Sequence, residues 1–178
     1  MLKKAIPHLS TRRLVFLALM VALNVVLSRL SIQLSQEVRL SVVGFLPAAL
    51  AGTLLGPVYG GLTGALADVL NYLLFTHVYG PYFPGYTLTA LLSGLWYGYV
   101  LHDRNINWFR AALAIVPVVA LGEMLLNSVW VYMMYAKTFW AKLPMRLVTN
   151  AIEIPVKTIL LMGMTNLMTR MPKSYLKL

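Results

Sequence analysis

The chain contains no cysteine, so disulfides and thiolate metal sites are excluded, although this alone does not identify a compartment. Acidic residues are scarce, five in 178, and charged residues of both signs make up only 11%. The three histidines, His8, His77 and His102, fall in a terminus and in two loops expected on opposite sides, which excludes a metal set or a base with a shared substrate built from them. The HExxH and GxSxG patterns and the glycine-lysine phosphate loop are all missing, so no sequence signature of hydrolytic or nucleotide chemistry is present. No internal repeat or low-complexity tract appears, and nothing suggests the inverted repeats of many secondary transporters.

Apolar residues fill this space. They make up 60% of the chain, and the mean hydropathy of +0.75 lies well outside the usage of soluble domains. Lipid must therefore be part of the solvent. With about 20 residues per span, 178 residues allow one domain of six transmembrane helices, an all-α bundle, and no separate ATPase. The expected spans are 14–32, 40–56, 57–76, 86–101, 111–135 and 143–168. The basic start and the following apolar run are like a secretory leader. Further spans follow and the small-residue cleavage pattern is missing, so the run reads as a first, retained helix. Gln33–Arg39, His77–Gly85 with its two prolines and two glycines, His102–Arg110, and a polar stretch before Leu143 read as connections.

Fifteen lysines and arginines give a net charge of +10, a value that could signal nucleic-acid binding. Their arrangement points to a bilayer instead, because they flank apolar spans and form no single stripe. Lys3, Lys4, Arg12, Arg13, Arg104, Arg110, Arg170, Lys173 and Lys177 fall on one side; Arg39, Lys137, Lys142 and Arg146 fall on the other. Nine against four predicts that both termini are cytoplasmic and that the loops after spans 1, 3 and 5 face outward.

In lipid, helices associate through small residues that let backbones approach. Ala48, Gly52 and Gly56, then Gly60 and Gly64, recur every four residues and suit close packing of spans 2 and 3. Ala18 and Ala22 form a separate step on span 1, for which internal packing and an external contact are both open. Polar residues at membrane depth each need a reason, since an unpaired charge there costs about 3 kcal/mol or more. Arg146, Asn150, Glu153 and Lys157 share one helical stripe; so do Glu123, Asn127 and Trp130, and so do Asp68 and Tyr72. Arg29 lies near the outer end of span 1. Two readings stand for these groups. They pair with one another, for instance Glu153 with Lys157 or Arg146, and lock the bundle, a reading that suits Glu123 and Lys157 best. Alternatively, Arg29, Asp68, Asn127, Trp130, Arg146, Asn150 and Glu153 line a pocket for a flat, polar, partly anionic ligand. Tyr82, Tyr86, Trp96, Trp108 and Trp140 lie at span ends, as interfacial aromatics do.

Several segments carry a resemblance: RLS at Arg29–Ser31, LGPVYGGLTGALADVL at Leu55–Leu70, YFPGYTLTALLSG at Tyr82–Gly94, LNSVW at Leu126–Trp130 and LPMRL at Leu143–Leu147. Together with the chain's size and the Ala18/Ala22 step, they make it similar to the S components of energy-coupling-factor transporters, and within these to the folate-specific branch. The LNSVW segment has Ser128 where the family pattern has threonine, a change that keeps the hydroxyl. The resemblance implies a six-helix subunit that captures folate from outside. It would dock through Ala18 and Ala22 on a transmembrane T component coupled to two ATP-binding subunits, and would itself need no cofactor. It also implies site roles: Arg29 and Arg146 for the two carboxylates of the glutamate tail, Glu153 or Asp68 for the pterin edge, and Trp130 and Tyr72 flanking the rings. An S component for a flavin, thiamine or a queuosine precursor, or a structural subunit of a membrane complex, remains open on the sequence.

Overall fold

The computed structural model describes residues 10–30, 32–33, 39–40, 42–75 and 82–170, with the side chains of 32–33, 39–40, 135–143 and 168–170 left aside. Among the described residues there are six α-helices: α1 Thr11–Leu27, α2 Leu46–Leu55, α3 Pro57–Leu74, α4 Pro84–Leu101, α5 Trp108–Pro117 and α6 Asn127–Arg170. A 3-10 turn, Ser28–Leu30, ends α1, and a π-helical segment, Val118–Leu126, joins α5 to α6. The only strands among these residues are β1, Ile32–Gln33, and β2, Arg39–Leu40, paired antiparallel. The described part is thus all-helical apart from a ladder of two residues on each side.

Start and stop signals explain most boundaries. Ser10 caps α1 by accepting from the Arg13 amide, and Asn107 caps α5 in the same way toward Arg110. Proline stands in the first turn of α2, α3 and α4, where its missing amide is not needed. Gly56 separates α2 from α3 at φ +103°, a left-handed conformation that leaves room for glycine and few other residues. The His102 ring lies over it, with Nδ1 2.9 Å from the Thr53 carbonyl oxygen.

Three segments are long and apolar enough to cross a bilayer by length and composition: Thr11–Leu30, Trp108–Met134 and Pro144–Leu167. The expected span 40–56 is shorter than anticipated. Its helix has ten residues, about 15 Å, because residues 42–45 form bends and turns and Pro47 sets the start. Span 1 likewise stops being α-helical at Leu27 and ends in the 3-10 turn. The connection expected at 77–85 overlaps α4, which begins at Pro84; residues 76–81 lie outside the described part, as do 34–38 of the connection expected after span 1.

The polar stretch before Leu143, expected as a loop, carries helical backbone. The run 127–170 is nonetheless no straight rod. Lys157 Nζ lies 2.7 Å from Glu123 Oε1 across 34 residues, whereas a straight helix of that length reaches about 51 Å. The path therefore turns back between Glu123 and Lys157, so that Arg146 and Lys157 both reach Glu123.

Backbone contact holds the first half of the bundle. A Cβ placed on Gly60 would meet the Gly94 carbonyl at 2.5 Å and the Gly52 Cα at 2.9 Å, and one placed on Gly52 would meet the Gly98 amide at 2.8 Å. The glycines of α2 and α3 therefore pack against each other, as their spacing predicts, and also against α4, whose Gly94 and Gly98 complete the set. A second core of Tyr97, Val100 and Leu101 on α4, Ala111, Ala114, Ile115, Val118 and Val119 on α5 and its π segment, and Leu161 on α6 fills the other side. On α1, Leu17, Met20, Val21 and Val25 point inward, while Leu14, Val15, Leu19, Leu23 and Val26 are exposed, with Ala18 and Ala22 on that outer side.

Candidate functional site

At the end of the bundle where α1 and α3 finish, polar and aromatic side chains link neighbouring helices in sequence. Arg29 Nη2 donates to Asn71 Oδ1 at 3.0 Å, and its guanidinium lies 3.6 Å from the centre of the Phe75 ring. The Ser28 hydroxyl donates to the same Asn71 oxygen at 2.7 Å, which draws the last turn of α1 onto α3. One turn deeper, Asp68 Oδ2 accepts from Thr87 of α4 at 2.7 Å, and the Thr87 hydroxyl shares a 3.0 Å hydrogen bond with the Tyr82 hydroxyl. The Tyr82 ring is 4.9 Å from that of Tyr72. Across α4, the Trp130 indole N–H donates to Thr89 Oγ1 at 3.0 Å while its ring tilts against Phe83 at 5.6 Å.

Below this tier lies an ionic cluster. Lys157 Nζ contacts both oxygens of Glu123 at 2.7 and 2.8 Å and Glu153 Oε2 at 2.6 Å. Lys157 and Glu153 are only 1% and 2% exposed, which decides their state: such charges persist in an apolar interior only as partners. The Phe45 ring faces this cluster, 5.9 Å from Nζ, and also packs on Tyr97 at 5.8 Å. Arg146 sits above it, its Nη2 donating to the Glu123 carbonyl oxygen at 3.1 Å.

The helical stripes of α6 thus fold as their spacing predicts: Arg146, Glu153 and Lys157 are buried and Asn150 is half-buried on the same side. Asp68, Tyr72 and Trp130 join the upper tier, and Arg29 joins it from the turn after α1. Glu153, expected in the pocket, is bound to Lys157 in the deep cluster, and Arg146 is engaged with backbone. Asn127 is half-buried, and its Oδ1 has no hydrogen-bond partner among the described residues; the same holds for Ser128 Oγ and Arg146 Nε. Buried polar atoms left this way are the ones that a ligand or water satisfies.

Sequence reasoning missed Ser28, Asn71, Thr87 and Thr89, and the aromatic faces of Phe75, Phe83 and Phe45. Asn71 was within reach, being three residues from Asp68 on one helical face. The threonines carried no such signal, because a membrane-helix threonine commonly bonds its own carbonyl, as Thr53, Thr63 and Thr158 do here. Of the span-end aromatics, Trp96 does more than face the interface, since its indole N–H donates to the Leu113 carbonyl and ties α4 to α5. Trp108 is 60% exposed, as an interfacial residue would be.

Aromatic faces beside amide, carboxylate and guanidinium groups can hold a flat ligand with a donor–acceptor edge and an anionic substituent. The family described as "ECF transporter, substrate-specific component" matches residues 12–165. The folate transporter FolT of Clostridium novyi is 31% identical over 159 residues, covering 89% of this chain and 90% of that protein. The FolT of Leuconostoc mesenteroides is 33% identical over 158 residues, covering 85% and 83%. Among solved structures, one described as FolT bound with folic acid superposes with a TM-score of 0.78 at 32% identity, over 85% of this chain and 89% of that one.

Proposed function

Because the chain belongs to the family of ECF transporter substrate-specific components, we propose that it is the folate-capturing subunit of an ATP-driven vitamin importer. The family consists of transport proteins and not enzymes, and the chain is a multi-pass protein of the cell membrane. The observation that carries folate as the ligand is the likeness, in sequence and in fold, to a FolT bound with folic acid over 85% of the chain.

Folate enters from outside in this reading, at the end of the bundle that carries Arg29, Asp68, Tyr72, Asn127, Trp130 and Asn150. Both termini are then cytoplasmic. The ring system packs among Tyr72, Phe83 and Trp130, and Arg29 faces the carboxylate tail at the rim. Asp68 and Asn127 supply acceptors for an amino or ring N–H edge. Hydrolysis of ATP belongs to partner subunits, a T component and two ATP-binding chains, and the protein itself holds no cofactor. The docking face is the outer side of α1, where Ala18 and Ala22 are exposed between larger apolar side chains. Small residues there allow a partner helix to approach closely.

Calorimetric titration of the detergent-purified chain with folic acid, with riboflavin and thiamine as controls, tests the assignment. One-to-one binding of folic acid alone is expected. Binding of another vitamin in its place would keep the family and overturn the ligand.

A further inference from the structure

The π-helical segment Val118–Leu126 is nine residues long, whereas most such segments are single turns within an α-helix, and they concentrate at functional sites. Pro117 precedes it and removes one amide from the regular ladder. At its far end the Asn127 amide donates to the Gly122 carbonyl, five residues back. In an α-helix that amide would serve the Glu123 carbonyl, four residues back. Here the Glu123 carbonyl receives Arg146 Nη2 at 3.1 Å, from the antiparallel segment of α6. A guanidinium thus supplies, from another helix, a donor at the position that the widened turn has vacated.

The widened turn also sets the direction in which later side chains point. One residue of extra winding shifts them by about 100° around the helix axis. Glu123 lies inside the π segment; Asn127, Ser128 and Trp130 lie after it. Gly122 packs near Thr89 and Ser93 of α4, 3.4 Å from a Cβ placed there, and Thr89 in turn holds the Trp130 indole. The geometry points to Arg146 as a positioning residue, which holds the π segment open so that Glu123 faces Lys157 and Trp130 faces the proposed folate site, and not as the ligand of a folate carboxylate. This rests on the folate reading for its binding assay but not for its structural one.

A carbonyl needs only a donor, which lysine or glutamine can provide, whereas a carboxylate fork needs the planar pair of N–H groups that arginine alone carries. Pteroic acid, which lacks the glutamate and both of its carboxylates, is the matching probe. Wild type, Arg146→Lys, Arg146→Gln and Arg146→Ala are titrated with folic and pteroic acids, and hydrogen exchange of the amides from Val118 to Trp130 is followed without ligand. The expected result has Arg146→Lys within about threefold of wild type for both compounds. Arg146→Ala loses about tenfold or more for both alike, and its amides from Glu123 to Trp130 exchange faster. Should Arg146→Ala not fold, the ratio of the two affinities in the lysine and glutamine variants decides. Loss of folic acid affinity in Arg146→Lys with pteroic acid unchanged would overturn the proposal in favour of a carboxylate fork. Unchanged exchange in the alanine variant would also overturn it. If wild type binds neither compound, the folate assignment fails and the exchange comparison alone settles the role of Arg146.

Discussion

Replacing Lys157 with methionine removes the one cation between two carboxylates while keeping most of the side-chain volume. The ammonium lies 2.6 to 2.8 Å from three carboxylate oxygens, and Lys157 and Glu153 are almost wholly out of solvent. Deleting one partner of a buried pair leaves an uncompensated charge and costs about 3–5 kcal/mol. For a domain of this size each kcal/mol moves the thermal midpoint by about 2–4 °C, so Lys157→Met should melt about 6–20 °C below the parent. Tryptophan fluorescence on heating in detergent reads this directly. Adding Glu123→Gln and Glu153→Gln to Lys157→Met removes the stranded charges, and should recover most of the loss, since a neutral replacement of a buried ionic group is often close to cost-free. A single variant that melts within about 2 °C of the parent would show that the cluster is hydrated or dispensable, and the argument from burial would fail.

Gly94→Ala should destabilise the bundle by about 1–3 kcal/mol or more, because its Cβ would fall on the backbone of Gly60. Gly163→Ala, with nothing within 4 Å of the new carbon, should be neutral or gain up to about 1 kcal/mol of helix propensity; the two melting curves compared side by side check the packing claim. Ala18→Trp combined with Ala22→Trp should leave folate binding by the isolated subunit intact, since both positions are exposed, while folate uptake by vesicles carrying the full transporter falls about tenfold or more. Unimpaired uptake would remove this face from the docking surface.

Periodicity makes the polar stripe of α6 legible, because burial at positions 146, 153 and 157 follows from helical geometry alone. It cannot decide between pocket and pairing, since Lys157 is shared between Glu153 on its own stripe and Glu123, 34 residues away on another segment. The glycines of α2 and α3 announce a close contact but not its third member; Gly94 and Gly98, also four residues apart, carry the same signal on α4, yet small residues mark a face without naming what approaches it. The stripe of Glu123, Asn127 and Trp130 presumes a regular α-helix, and the π segment between the first two changes that phase. Nothing in the composition of Val118–Leu126 beyond the preceding proline and one glycine signals five-residue hydrogen bonding. The bond from Arg146 to the Glu123 carbonyl was hidden for the same reason: a backbone acceptor is invisible until the helix that offers it is known to be irregular.

The glycine contacts described among α2, α3 and α4 have a mechanical consequence. Atoms of two backbones in direct contact meet a steep repulsive wall, and no side-chain rotation can relieve it. Those three helices consequently form a stiff keel. The opposite flank is joined by side-chain packing, hydrogen bonds and ion pairs, which can be exchanged for others of similar energy over an ångström or two of sliding. Strain imposed at either end of the molecule will be taken up by this compliant flank, between the segments that carry Glu123 and Lys157, while the keel moves as one piece.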